Sequence, residues 1–398
     1  MRKTGLGEIN EFTLRKQHLT GYSKARSIVQ VVNDLIGLHA TNPATPYLSL
    51  FQRTSDFRKE QLDEELYVKR NLGKIRCMRK TVHVLTKETI PIAYSATSKL
   101  VVPLSEKYSL FLGVTKKDYE ETSSQILEEL KGKGMSTKEL RRALRSRSNI
   151  SPIVNLMCDK GLLIRGKSKY GWRSNTHTYH IFQEYFPDMN LNAVDETEAK
   201  RILIKQYIAS FGPVTENDTV WWTGFLKGEV GEILDGFHEE TTWVEIQDLK
   251  GDYLMHLSGL KPLHESRPKK NTVNFLPSLD PYLMGYKDRE RYLDHEYYDY
   301  VFDRGGNATS TILLNGRVIG IWDIEEDVAP TVKLFLFEVV GEKTRGEIVA
   351  KARETGRFIA DEEVEIKECD TMVPLTHRTA GGVMSPLKDL SNDEKESF

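Results

Sequence analysis

Between about Asp118 and Phe186 the start and stop signals for helices follow one another so closely that only short elements fit between them. Ile126, Leu127 and Leu130 stripe one helix, which Gly132 and Gly134 end. Ser136-Thr137-Lys138-Glu139 is a capping box: a hydroxyl and a carboxylate three residues apart can each satisfy a free amide at the start of a second helix. That helix turns Leu140, Ala143 and Leu144 inward and Arg141, Arg142 and Arg145 outward. Ser151-Pro152 supplies an N-cap and a first-turn proline for a third helix, closed by Gly161. Beyond it, Leu162-Leu163-Ile164 reads as a strand, Arg165 to Lys169 as a basic turn, and Tyr170 to Arg173 as the returning strand.

Three short helices and a basic hairpin describe a winged helix, in which the third helix faces the groove of DNA and the wing contacts phosphate. Charge distribution points the same way although the formal net charge is only -2. Lys69, Arg70, Lys74, Arg76, Arg79, Lys80 and Lys87 form a run without an acidic residue, and between Lys131 and Arg173 twelve basic residues face only Glu139 and Asp159. Such blocks can attract phosphate while acidic segments elsewhere cancel the total; on charge alone a solvated basic surface is an equal reading.

With 39% hydrophobic and 29% charged residues the chain has the balance of a globular protein, and 398 residues call for several domains. The N-terminus carries no apolar run of a secretory signal, and no stretch approaches the length of a spanning helix, so a cytoplasmic location is expected. Cys77, Cys158 and Cys369 lack metal-ligand spacing, so neither a metal nor a disulfide framework is expected, and nothing calls for a cofactor. Phosphate-loop, nucleophile-elbow and His-Glu-x-x-His motifs are absent from the sequence.

Ala25, Ile28, Val29, Val32, Leu35 and Ile36 stripe a helix for which Ser23 is a plausible cap, and Pro43 and Pro46 make residues 37–46 a turn. A later helix carries Ile202, Leu203, Gln206, Tyr207 and Phe211 and breaks at Gly212-Pro213. Thr215 or Asn217 caps the next, with Val220, Trp221 and Trp222, and Trp243 to Ile246 and Tyr253 to Met255 flank a turn. From about Asn271 strands dominate: Ser310 to Leu314 and Arg317 to Trp322 joined by Asn315-Gly316, then Thr331 to Val340, with a helix from Arg345 to Phe358. The last dozen residues are polar and are expected to fray.

Several segments together resemble the winged-helix DNA-binding-domain family that includes the AlkZ-like bacterial DNA glycosylases of alkylpurine and interstrand-crosslink repair. The resemblance rests on Gly37-Leu38-His39-Ala40-Thr41-Asn42-Pro43, Arg76-Cys77-Met78-Arg79-Lys80-Thr81-Val82-His83 and Phe211-Gly212-Pro213-Val214-Thr215 with Asp218 and Trp222-Thr223-Gly224. Leu276-Pro277-Ser278-Leu279-Asp280-Pro281 and Asn315 to Trp322 complete it. It implies an α+β protein of tandem winged-helix units followed by a small C-terminal β-barrel. Residues 1–115 would form an N-terminal winged-helix-like domain, 116–190 a winged helix with a basic wing, 195–268 a further winged helix, and 269–390 a β-rich, barrel-like domain. The implied partner is double-stranded DNA, intact or damaged.

Glycosylases of this family carry Gln-x-Gln or Gln-x-Asp in the turn after the first long helix, where the polar side chains hold the attacking water. The aligned triplet here is His39-Ala40-Thr41, which makes His39 and Thr41 the candidate catalytic pair. An alkylated purine is already a good leaving group, so the protein need only stabilise an oxocarbenium-like sugar and aim a water. A neutral imidazole can accept that water's proton, and a threonine can hold it by one hydrogen bond. The bland alternatives are a histidine bonding the end of the first helix and a threonine bonding its own turn. For DNA contact the resemblance and the charge pattern nominate Arg76, Arg79, Lys80, Thr81 and His83, with Arg141, Arg142, Arg145, Lys167, Lys169 and Arg173. Trp221, Trp222 and Trp322 fit apolar patterns and read as core; Asp218 and Asp280 read as turn or cap residues. The competing functions are a non-catalytic winged-helix DNA-binding protein, as regulator or lesion sensor, and a protein-interaction scaffold.

Overall fold

The capping box at Ser136 forms as its residue types require. Ser136 Oγ accepts from the Glu139 amide at 3.4 Å and Glu139 Oε2 accepts from the Ser136 amide at 2.8 Å, opening the helix Thr137–Ala143. The computed structural model describes residues 3–268, 271–326 and 329–377 and divides into two compact units. The first comprises residues 25–210 and 219–238, the second residues 3–24, 211–218 and those described from 239 onward.

Three small-sheet strands open the first unit: β1 (Leu38–His39), β2 (Leu72–Arg76) and β3 (Val82–Thr86), ordered β1-β3-β2 and antiparallel. Helices Ile28–Asp34 and Thr45–Arg53 flank β1, and the 23-residue helix Thr89–Phe111 follows β3. The first helix is shorter than its apolar stripe, because Ser27 rather than Ser23 caps it by accepting from the Gln30 amide. Next come helix Lys116–Leu130, β4 (Met135–Ser136), helices Thr137–Ala143 and Ser151–Asp159, then β5 (Leu163–Ser168) and β6 (His177–Ile181) in a sheet ordered β4-β6-β5. Ile126, Leu130, Leu140, Ile153, Met157, Leu163 and Tyr179 form their common core.

Three local expectations change here. The returning strand is His177–Ile181, and Tyr170 to Arg173 lie in the turn before it. The polar run from Ser174 to Thr176 widens that turn, so pairing begins only where Tyr179 can reach the core. Ala143 is exposed rather than inward. Helix Ser151–Asp159 buries seven of its nine residues, because its apolar residues take up most of its circumference and leave only a narrow strip with Ser151 and Asn155 partly exposed.

Helix Glu196–Phe211 and the helix Glu216–Thr223, capped by reciprocal bonds between Thr215 and Asp218, follow the expected pattern. The second unit holds the hairpin β7 (Thr241–Val244) and β8 (Tyr253–His256). Against it packs an N-terminal helix, Leu6–Lys16, through Ile9 and Phe12. Its five-stranded sheet is ordered β13-β12-β11-β10-β9, from β9 (Val273–Leu276), β10 (Thr311–Leu314), β11 (Arg317–Glu325), β12 (Thr331–Leu336) and β13 (Glu365–Glu368), with helix Glu342–Ala360 crossing between β12 and β13. Among the described strand pairs of this sheet, only β12–β13 is parallel. Asn315 and Gly316 have φ of 53° and 81°, as a type I′ turn demands. A Cβ at Gly316 would stand 2.8 Å from the Tyr282 hydroxyl. The final dozen residues lie outside the described residues, and among the described residues no helix is long and apolar enough to cross a membrane.

Candidate nucleic-acid and catalytic site

The His39 site belongs wholly to the first unit. Residues 37–46 are not simply a turn: Ile36 and Gly37 take φ of 51° and 101°, and the chain then runs into β1, where Leu38 pairs with Val84 and His39 with His83. Two paired residues are too few to show strand periodicity in sequence, whereas the glycine that permits the entry is explicit. A Cβ at Gly37 would lie 2.8 Å from the Val84 carbonyl oxygen. The register sets the two imidazoles side by side, 4.2 Å between centroids and tilted by 43°. Both are buried, His39 at 4% and His83 at 3% exposure. Thr41 is exposed on the bend before helix Thr45–Arg53.

Hydrogen bonds hold both rings. The Thr81 hydroxyl lies 3.1 Å from the Met78 carbonyl oxygen and 3.4 Å from His39 Nδ1. With one proton and two lone pairs it meets Nδ1 as donor or as acceptor, and in either tautomer the neutral His39 ring keeps one nitrogen lone pair. His83 Nδ1 lies 3.2 Å from the Thr81 carbonyl, which can only accept, so His83 carries its hydrogen on Nδ1; Cys77 Sγ lies 3.6 Å from that nitrogen. Burial, then the neighbouring His83 and Arg79, hold the His39 pKa well below its ordinary value, and burial lowers His83 to about 4. At neutral pH both rings are uncharged. His39 is therefore a weak base with an unprotonated nitrogen, suited to orienting water against a substrate that leaves readily.

This burial has a consequence for stability. Because the folded pKa of His83 lies below the unfolded 6.5, its contribution is fully present above pH 6.5 and is lost as pH falls through about 4, and His39 acts in the same direction. For His83 alone the loss is on the order of 3 kcal/mol. Urea unfolding of wild type and His83→Asn at pH 7.5 and 4.5 should show a flatter pH dependence in the variant; parallel curves would contradict the assignment.

The other nominated cations divide into two groups. Arg76 Nη1 donates to Asp159 Oδ2 at 3.0 Å and to Ser105 Oγ at 3.1 Å, Lys167 pairs with Asp63 at 2.9 Å, and Lys169 pairs with Glu139. Neighbouring members of the basic run are also engaged: Lys69 with Glu65, Arg70 over the Tyr185 ring, and buried Lys74 with the Tyr67 hydroxyl at 2.7 Å, burial lowering its pKa to about 8. Carboxylates from outside residues 69–87 thus meet Lys69 and Arg76, while tyrosines engage Arg70 and Lys74. Arg141, Arg142, Arg145 and Lys80 are exposed and form no ion pair among the described residues, and Arg173 is exposed with its guanidinium 5.6 Å from the Trp172 centroid. Arg79 reaches over Trp221, 3.8 Å from the ring centroid.

Trp222 and Trp322 are core residues, the former stacked on Tyr207 at 4.7 Å and the latter donating Nε1–H to the Leu276 carbonyl at 2.9 Å. Trp221 departs from that pattern, being half-buried beneath Arg79. Asp280 caps Pro281–Met284, and Asp218 accepts from the amides of Thr215, Lys287 and Asp288, so both serve backbone structure. Cys77, Cys158 and Cys369 are buried free thiols, and among the described residues no three His, Cys, Asp or Glu side chains gather as a metal site. The sequence gives no sign of the Asp159 carboxylate's role or of the Tyr67–Lys74 contact, since no motif marks a partner supplied from elsewhere along the chain.

The fold is similar to that of the Streptomyces sahachiroi DNA glycosylase AlkZ, with a TM-score of 0.74 at 20% identity over 92% of this chain and 100% of that one. No curated protein matches the chain. The family model described as DNA glycosylase AlkZ-like matches residues 32–358, a span that includes the paired histidines, the Arg79 turn and most of both units, and the chain belongs to that family.

Proposed function

We propose that this protein is a DNA-repair glycosylase that binds duplex DNA and hydrolyses the N-glycosidic bond of alkylated or bulky adducted bases. The observation that carries this is His39 held neutral by burial beside the Thr81 hydroxyl, at the position that the resemblance aligns with the family's first water-holding glutamine. In this reading Nε2 receives or orients the water, and Thr41, exposed two residues on, meets it from the DNA side. The element order helix, β4, two helices, β5–β6 supports reading residues 116–190 as a winged helix, and the β-rich segment beyond 269 as the family's closing barrel.

The phosphate-binding face in this reading is the end of helix Thr137–Ala143 and the turn after it, where Arg141, Arg142 and Arg145, like Lys138 and Arg147 beside them, are exposed and form no ion pair among the described residues. Neutralising each to alanine should weaken duplex binding similarly for all sequences and lower the slope of log affinity against log salt by about 0.9 for each phosphate no longer neutralised. Unchanged slope in the triple variant would move the interface elsewhere. The enzymatic reading is tested by incubating the protein with duplex DNA containing 7-methylguanine and measuring free base. Tight, salt-sensitive binding without release would favour the non-catalytic reading, which the replacement of both family glutamines by His39 and Thr41 also supports.

A further inference from the structure

Adjacent residues on a helix point about 100° apart, and on helix Glu216–Thr223 this separates two tryptophans. Trp222 enters the core and stacks on Tyr207, which fixes the helix; Trp221 is left half-buried with the Arg79 guanidinium on its ring. Arg79 reaches it from a turn in which Arg79 and Lys80 both take left-handed backbone conformations, φ 51° and 60°, without being glycines. The turn is seated closely: a Cβ on Gly224 would stand 3.7 Å from the backbone nitrogen and Cα of Arg79. Two residues on, Thr81 bonds His39.

The geometry points to Trp221 as the specificity-determining platform for the damaged base, stacking a cationic alkylpurine through its ring face, with Arg79 occupying that face when no lesion is present. This rests on the glycosylase reading above. An indole face carries negative quadrupole potential and prefers a cation to an uncharged ring of the same shape, so the guanidinium stands where a positively charged base would gain most. Arg79 must then withdraw, and its planar fork is suited to engaging a phosphate instead. His39 stays neutral through this exchange because burial, more than Arg79, lowers its pKa.

The test uses the full chain and duplexes containing either 7-methylguanine or its uncharged isostere 7-methyl-7-deazaguanine, both on 2′-fluoro sugars to suppress cleavage, with affinity read by fluorescence anisotropy. Wild type should prefer the cationic base, and Trp221→Leu should reduce that preference about fivefold to thirtyfold while changing affinity for undamaged duplex little. Trp221→Phe should fall between them, and Arg79→Ala should widen the preference by removing the competitor. Equal preference in Trp221→Leu and wild type, no preference in wild type, or a narrowed one in Arg79→Ala overturns the inference. If Trp221→Leu fails to fold, the phenylalanine and Arg79 variants decide. Failure of wild type to bind any duplex instead removes the DNA-binding reading itself.

Discussion

On the proposed glycosylase reading, His39→Ala should lower the rate of 7-methylguanine release by about a hundredfold or more, the usual range for a lost general base, and should leave duplex affinity nearly unchanged. The residue is buried and uncharged, so it contributes no attraction for phosphate. Single-turnover release and anisotropy on the same preparation separate these effects. His39→Gln keeps a hydrogen-bonding group, and combined with Thr41→Gln it restores the amide pair that the family resemblance leads one to expect; that double variant should release base at least as fast as wild type. If His39→Ala retains full activity, the imidazole is a packing residue and water is held elsewhere.

Arg76→Ala gives the largest expected loss of stability, about 3 to 5 kcal/mol, because it strands a buried carboxylate. The Asp159 side chain is 0% exposed, and its Oδ2 is held by Arg76 at 3.0 Å and by the Ser105 hydroxyl at 2.5 Å. Its Oδ1 has no hydrogen-bond partner among the described residues, so the Ser105 hydroxyl and the attraction of the buried Arg165 guanidinium are left to compensate the charge. Arg76→Met with Asp159→Leu should cost less than Arg76→Ala alone, since it removes the charge along with its partner. Urea unfolding of both variants is decisive: a loss below about 1 kcal/mol for Arg76→Ala would mean that water or a neighbour reaches Asp159. Charge pattern and resemblance also nominate Arg76 for DNA contact, and a salt slope unchanged in Arg76→Ala would agree with its structural engagement instead.

The two residues illustrate which readings survive folding. Signals confined to a few consecutive residues are legible: the Ser136 capping box, the Thr215–Asp218 cap and the Asn315-Gly316 turn all form. Patterns whose meaning depends on partners are not. The run from Lys69 to Lys87 looks wholly unneutralised in sequence, yet Lys69, Arg76 and Lys74 meet Glu65, Asp159 and Tyr67. Helix Ser151–Asp159 has the placement of a groove reader, but packing leaves only Ser151 and Asn155 partly exposed on it. Helix Leu6–Lys16 escapes the sequence reading although Leu6, Ile9 and Phe12 stripe it.

The amino-acid order alone determined the ends of those helices that carry explicit caps, the sharp turns, and the identity of the triplet at residues 39–41, because capping, left-handed backbone and side-chain chemistry act over three or four residues. It could not determine that His39 would face His83, that Arg79 would cover Trp221, or which cations would remain exposed. Those depend on strand register and on charges brought together from far along the chain, and electrostatic environment is a property of three-dimensional neighbours and burial rather than of sequence spacing.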